Sequence, residues 1–374
     1  MTVAMAGSGV TGRLLFPPPG GGGGQETGPF VWDANTARRI PGVGRALGVY
    51  CAMLKQAPLD AWRGLTPLPR PRLLEAPDPD NVRSWFVQVS VEDYLLNGNA
   101  VCLVTSRGFD GWPLSVAWIP AQWVTVMWTP GQPADYYVQG RALPRGDVVH
   151  VKRGADRWYP VRGVGVVEEY LGSLDRIAME EAYERGTLSG AGVPSVAVIA
   201  PNPDLSSTEA GVAKDRWVEK FAGPRREPAI LPSGTQVIPL GWSPSDNQMT
   251  EARRASLQDI ANMFNLDGYW IGAPSSSMTY RSPGPMYLNL LRTSIEPVAV
   301  DIEDTWSHAW LPTTTRVRFD RQALLRDDLQ TTADTLATLT GGAAVMTVNE
   351  ARAYLSLPVV DGQAASVWSP IDTV

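Results

Sequence analysis

The chain has 374 residues, a net charge of −6 and 19% charged residues. That length allows a large core divided into two or more lobes, and the acidic balance excludes the overall basic footprint of a tight duplex binder. Cys51 and Cys102 alone make neither a disulfide framework nor a metal set, and neither a charged leader nor an apolar run of roughly 18 residues occurs, so a soluble protein of a reducing compartment is expected.

In chain order, Pro17-Pro-Pro19 runs into five glycines, and no lysine or Walker motif accompanies them, so residues 1–32 are expected to form a flexible arm. Asp33 to Leu59 carries a helical pattern with Ile40, Val43, Leu47, Tyr50, Cys51 and Leu54 on one side. The proline-rich stretch 66–72 should be extended. A helix over about 80–96 is expected to bury Trp85, Val89 and Leu96 and to stop at Asn97-Gly98-Asn99.

From Ala100 the period becomes that of strands. The runs 100–105, 115–119, 123–128, 136–139 and 148–152 are β-rich and separated by turn residues, which predicts an antiparallel region. Its tryptophans, Trp112, Trp118, Trp123 and Trp128, suit either stacking on bases or sugars, or a sandwich core or subunit contact. A helix over about 164–185 has Leu171, Leu174, Ala178 and Ala182 on one stripe. Glu168, Glu169, Asp175, Glu180, Glu181 and Glu184 make its other surface acidic, solvated or channel-facing.

Residues 194–240 read as a small α/β unit projecting between two long helices. Past Ser243 and Pro244, a helix is marked by Met249, Ala252, Leu257, Ile260, Ala261 and Phe264. A loop without periodicity follows over 267–284, then a helix over 286–310 that Pro297 should kink, because it has no N–H to give residue 293. One strand at 315–319 and helices at 322–339 and 348–355 complete the pattern, the last with a capping box between Thr347 and Glu350.

No motif for a nucleophile elbow, zinc protease, thiol redox pair or phosphate loop occurs. His150 and His308 have no nearby nucleophile or second ligand, so both read as structural. No catalytic residue, metal site or cofactor is expected, and the chain does not read as an enzyme.

Several segments in one order carry a resemblance. They are Leu74-Glu-Ala-Pro-Asp-Pro79, Asp93-Tyr-Leu-Leu-Asn-Gly-Asn-Ala100, Gly111-Trp-Pro-Leu114 leading to Ile119-Pro120, and Asp147-Val-Val-His-Val151. Further along come Ile230-Leu-Pro-Ser-Gly234, Pro239-Leu240 before Ser243-Pro-Ser-Asp246, Asp259-Ile-Ala-Asn-Met-Phe264, Pro297 and Val348-Asn-Glu-Ala-Arg352. Over roughly residues 33–362 the chain resembles the HK97-type portal proteins of tailed bacteriophages.

The resemblance implies an α+β, portal-type subunit assembled as a ring, a dodecamer in the virion. It implies a β-rich wing over 33–163 with a return strand in 312–326, stem helices at 164–189 and 244–266, and a small α/β clip at 190–243. A tunnel loop at 267–285, a kinked long helix at 286–311 and a helical crown and tail over 327–374 follow. It implies Tyr280, Arg281, Ser276 and Ser277 at the DNA channel, Glu169, Glu180 and Glu184 on an acidic stem surface facing it, and Arg225 and Arg226 at the clip docking surface. Arg253, Arg254, Leu257 and Ile260 would lie at the subunit interface. The partners implied are further copies of the chain, the terminase large subunit, the major capsid protein and scaffold, a head–tail connector or adaptor, and double-stranded DNA in transit, with no membrane. The place implied is the portal vertex of the virion's capsid, and the host cytoplasm during assembly. Another ring-forming head–tail connector and a tryptophan-rich carbohydrate-active β-protein are the alternatives.

Overall fold

The computed structural model describes residues 2–4, 11–14, 32–64, 66–188, 196–199, 211–212, 215, 236–239, 249–273, 283–321, 329–341, 345–354 and 360. The chain enters as strands β1 (Thr2–Ala4) and β2 (Thr11–Leu14), where the sequence reads as a flexible arm. They pair with each other, and β2 covers the edge of β7 (Val124–Trp128) with Thr11 opposite Trp128. An open strand edge is a row of unsatisfied N–H and C=O groups, and this pairing closes one.

Helix α1 (Ala34–Arg38) opens with a reciprocal capping box. Asp33 Oδ1 accepts from Thr36 N at 2.6 Å, and Thr36 Oγ1 accepts from Asp33 N at 2.7 Å. Helix α2 (Pro41–Gln56) starts with its proline at the first helical position, where the missing N–H costs nothing. It buries Val43, Leu47, Tyr50, Cys51 and Leu54, the face read from the sequence. The proline-rich stretch supplies β4 (Thr66–Leu68), which pairs with β3 (Leu59–Arg63), then the short α3 (Arg72–Glu75).

Helix α4 (Arg83–Asn97) buries Phe86, Val87, Ser90, Val91, Tyr94 and Leu95. The expected inward face was one position off. Leu96 is buried, Val89 only partly so, and Trp85 stays 38% exposed with its ring edge-on to Trp118 at 5.8 Å. Gly98 ends α4 in the left-handed region at φ 72. Strands β5 (Asn99–Arg107), β6 (Pro113–Ile119) and β10 (Val148–Lys152) form one antiparallel sheet in the order β10-β5-β6. Strand β7 is followed in its own sheet by β8 (Asp135–Val138) and β9 (Arg141–Leu143).

The next helix is broken at Tyr170 into α5 (Val166–Glu169) and α6 (Leu171–Leu188). Leu174 and Ile177 are buried, and Ala182 is exposed. Within the following unit, β11 (Val196–Ile199) and β12 (Gln236–Pro239) pair antiparallel. The helix expected near 207–221 lies mostly outside the described residues. Helix α7 (Met249–Met263) then returns beside α6.

Two differences follow α7. The stretch read as loop contains a helical turn, α8 (Gly268–Ile271), because Asp267 caps it by accepting from Tyr269 N at 3.0 Å. Pro297 is preceded not by a simple kink but by a π-turn over Leu291–Ile295, set between α9 (Pro283–Leu290) and α10 (Glu296–Trp310). A π-turn absorbs one extra residue, so the helix passes the proline without breaking.

Helix α10 carries the centre of the core, with Trp306 and Trp310 stacked at 4.4 Å and Phe86 tilted against both. Strand β13 (Arg316–Phe319) pairs with β3, Val317 opposite Ala61. Its other edge is satisfied by α10. Val317 N donates to Ser307 Oγ at 2.8 Å and Phe319 N to Glu303 Oε1 at 2.6 Å. Helices α11 (Leu329–Thr340) and α12 (Val348–Tyr354) follow. The capping box read from the sequence is present, with Thr347 N donating to Glu350 Oε2 at 2.7 Å and Glu350 N to Thr347 Oγ1 at 3.1 Å.

Candidate interaction surfaces

Asn97-Gly98-Asn99 packs backbone against backbone on Gly163-Val164-Gly165. Arg153 N donates to Gly98 O at 2.9 Å, and a Cβ at Gly165 would lie 2.0 Å from Leu96 O. The Asn99 side chain donates to Asn97 O and Gly163 O and accepts from Gly163 N. It also binds His150 Nε2 at 3.0 Å. Since Asn99 Oδ1 only accepts, the imidazole is protonated on Nε2, and Nδ1 accepts from Tyr136 OH at 3.1 Å. Burial pushes this histidine down to about 3, so it stays neutral. Nearby, Arg162 is 2% exposed and bridges Asp156 at 2.9 Å and Glu168 at 2.5 Å. These groups fix the start of α5 and α6 on the β sheet; they do not form a catalytic arrangement.

Helices α6 and α7 are cross-linked along their length. Arg176 pairs with Asp259 and with Glu180 at 2.6 Å, Ser256 Oγ donates to Glu180 Oε2 at 2.5 Å, and Arg253 pairs with Glu184 at 2.9 Å. Their numbers rise along one helix as they fall along the other, which defines an antiparallel pair. Glu169 pairs with Arg153 at 2.9 Å, and Asp175 is buried under the Trp32 indole, which donates to it at 2.5 Å. The acidic residues of α5 and α6 are therefore not a bare negative surface: Glu168, Glu169, Glu180 and Glu184 each hold an arginine of this chain. The arginines lie from 4 to 69 positions away, and only the Arg176–Glu180 pair is visible as helical spacing.

Of the other expected contact residues, Ile260 is 2% exposed and Leu257 partly buried. Both lie against α2, where a Cβ at Gly42 would meet Ile260 Cδ1 at 2.7 Å and Leu257 Cδ2 at 3.2 Å. Ile260 belongs to this chain's own core, and Leu257 packs against it. Arg253 is tied to Glu184, whereas Arg254 is exposed. Tyr280, Arg281, Ser276 and Ser277 lie outside the described residues, as do Arg225 and Arg226. The four tryptophans of the β region do not converge. Trp118 packs on Trp85 and donates to Asp93, Trp128 meets Tyr159 edge-on at 5.7 Å, Trp112 is partly buried and Trp123 is exposed.

Among the described residues no group of three histidine, cysteine or acidic side chains is placed to hold a metal, and no helix is long and apolar enough to cross a membrane. The described residues form a mixed α+β fold with small antiparallel sheets, an ion-paired helix pair and a long interrupted helix. The family described as phage portal protein matches residues 55–355, and the chain belongs to that family. The family is structural and non-enzymatic.

Solved structures share the fold. An HK97 family phage portal protein from Corynebacterium diphtheriae is 19% identical, with a TM-score of 0.59, over 78% of this chain and 96% of that one. A chain from the neck of a native gene transfer agent particle, computed with C12 symmetry, is 22% identical with a TM-score of 0.60, over 89% of this chain and 95% of that one. A chain from the neck of the empty particle, computed with C6 symmetry, is 22% identical with a TM-score of 0.61, over 91% and 97%. No curated protein matches the sequence.

Proposed function

We propose that this portal protein forms a dodecameric ring at one vertex of a capsid and that double-stranded DNA passes along the ring axis. The observation that carries this reading is the family match across residues 55–355; likeness to chains in a particle neck supports it. The wing is assigned to 33–163 with 312–326, the stem to 164–189 and 244–266, the clip to 190–243, the tunnel loop to 267–285, the kinked helix to 286–311, and the crown and tail to 327–374. The antiparallel pairing of α6 with α7, with β11 and β12 between them in sequence, supports the stem and clip assignments.

In this role the protein performs no chemistry. The terminase large subunit docks on the clip, with Arg225 and Arg226 at the contact, and hydrolyses ATP to drive DNA inward. The major capsid protein and scaffold surround the ring during assembly in the host cytoplasm, and a head–tail connector replaces the motor afterwards. A moving polymer needs weak grip, since each phosphate contact must break at every step. The arginine partners of Glu169, Glu180 and Glu184 leave the stem nearly neutral along that line, which suits a surface that neither holds nor strongly repels the backbone.

Arg281, with Tyr280, Ser276 and Ser277, is assigned to the channel's constriction. Packaging of a linear duplex into procapsids by terminase tests this. Arg281→Glu should shorten the packaged length while rings and procapsids form normally; normal packaging by that variant contradicts the assignment.

A further inference from the structure

The carbonyl of Thr293 is the one that an α-helix would pair with the N–H of residue 297, and residue 297 is proline. It receives a hydrogen bond from elsewhere: Asn265 Nδ2 donates to Thr293 O at 2.8 Å. The contact is reciprocated, because Ser294 Oγ donates to Asn265 O at 2.6 Å. Asn265 itself ends α7. It lies in the left-handed region at φ 51, and Leu266 N reaches back to Ala261 O at 2.8 Å, the pattern of a helix C-terminus closed by a left-handed residue. Asparagine is among the few side chains that tolerate that conformation while carrying an amide to donate.

The helix that accepts this amide is out of α register at that point. Leu291–Ile295 is a π-turn, with Glu296 N bonded to Leu291 O. A groove of about 420 Å³, lined by residues including Asn262, Trp270, Asn289 and Leu290, runs along the same junction, beside the buried Leu290 and Ser294. The π register makes room for Pro297, and an α register would turn α9 by about 100° relative to α10, one residue's worth of helical rotation.

We propose that Asn265 is a positioning residue that fixes the register of the long helix: its side-chain amide substitutes for the N–H that Pro297 lacks and holds the π-turn. The α7 terminus thereby sets the direction in which α9 leaves the turn. The inference does not depend on what the ring carries or what docks on it.

The test separates the amide from the backbone shape. Asn265→Gly keeps the left-handed conformation and the carbonyl that Ser294 uses, and removes only the amide. Hydrogen exchange at residues 294–299 should quicken about threefold in this variant, the loss expected for one partly exposed hydrogen bond. In a Pro297→Ala background, where Thr293 O regains a backbone donor, the same substitution should change nothing. Equal effects in both backgrounds, or none in either, would overturn the proposal.

A second readout needs only the Asn265 variant. Spin labels at Leu288→Cys and Asp304→Cys, both exposed positions flanking the turn, report the register, and the native Cys51 and Cys102 are buried. Labelled chain diluted in unlabelled chain should show one distance with Asn265 present and a second with Asn265→Gly. An unchanged single distance would show that the register is held by something else.

Discussion

Trp118 donates its indole N–H to Asp93 Oδ2 at 2.9 Å, joining β6 to α4. Asn97 Nδ2 donates to the other oxygen at 2.7 Å. The carboxyl keeps a little exposed surface but is otherwise enclosed by protein. Desolvation pushes it up to about 7 against these hydrogen bonds, with the charge of Glu92 adding to the rise. Its folded value lies above its unfolded one, so its contribution to stability is full below about pH 4 and is lost as pH rises through 7. Asp93→Asn should flatten the fall in unfolding free energy between pH 5 and pH 8, by on the order of 1 kcal/mol after solvent screening. An identical pH profile in the two proteins would contradict the assignment.

His150 works in the opposite direction. Its folded value is depressed to about 3, so its contribution is present above about pH 6.5 and is lost as pH falls toward 3. His150→Gln should soften acid unfolding below pH 6 while costing some stability at pH 8 through the hydrogen bonds to Asn99 and Tyr136. Thermal melts across pH 4–8 check both signs.

Arg162 sits between Asp156 and Glu168 with almost no exposure. Removing one partner of a buried ion pair leaves an uncompensated charge, which costs about 3–5 kcal/mol. Arg162→Ala should lower the unfolding free energy from chemical denaturation by that much. The exposed pair Arg253–Glu184 should contribute less than about 1 kcal/mol, and a double-mutant cycle measures it.

The backbone junction at Gly165 gives a further contrast. Gly165→Ala would force a methyl to within 2.0 Å of Leu96 O, and a loss of more than about 3 kcal/mol is expected. Gly48, inside α2, has nothing within 4 Å of an added Cβ, so Gly48→Ala should stabilise by about 0.5–1 kcal/mol. Chemical denaturation of the two variants should therefore move in opposite directions.

What could be read from the sequence was what depends on near neighbours. The Thr347–Glu350 capping box, the buried face of α2 and the strands of the β region all follow from spacing. The run from Asp93 to Asn99 was legible as a resemblance, and the structure supplies its physical content: a carboxyl, a left-handed glycine and an asparagine network in one turn. What stayed hidden depends on distant residues. The acids of α6 looked exposed because Arg253 is 69 positions from Glu184. The packing of Ile260 on Gly42 was hidden because nothing near either residue in sequence announces the other. The gap at Pro297 was visible, but not that Asn265 fills it.

Direct imaging of the purified full-length protein by electron microscopy tests the central claim, that this portal protein is a ring subunit. Class averages should show annular particles with a central channel and twelvefold symmetry. A monodisperse monomer at high protein concentration, with no rings even alongside the capsid protein and scaffold, would contradict it.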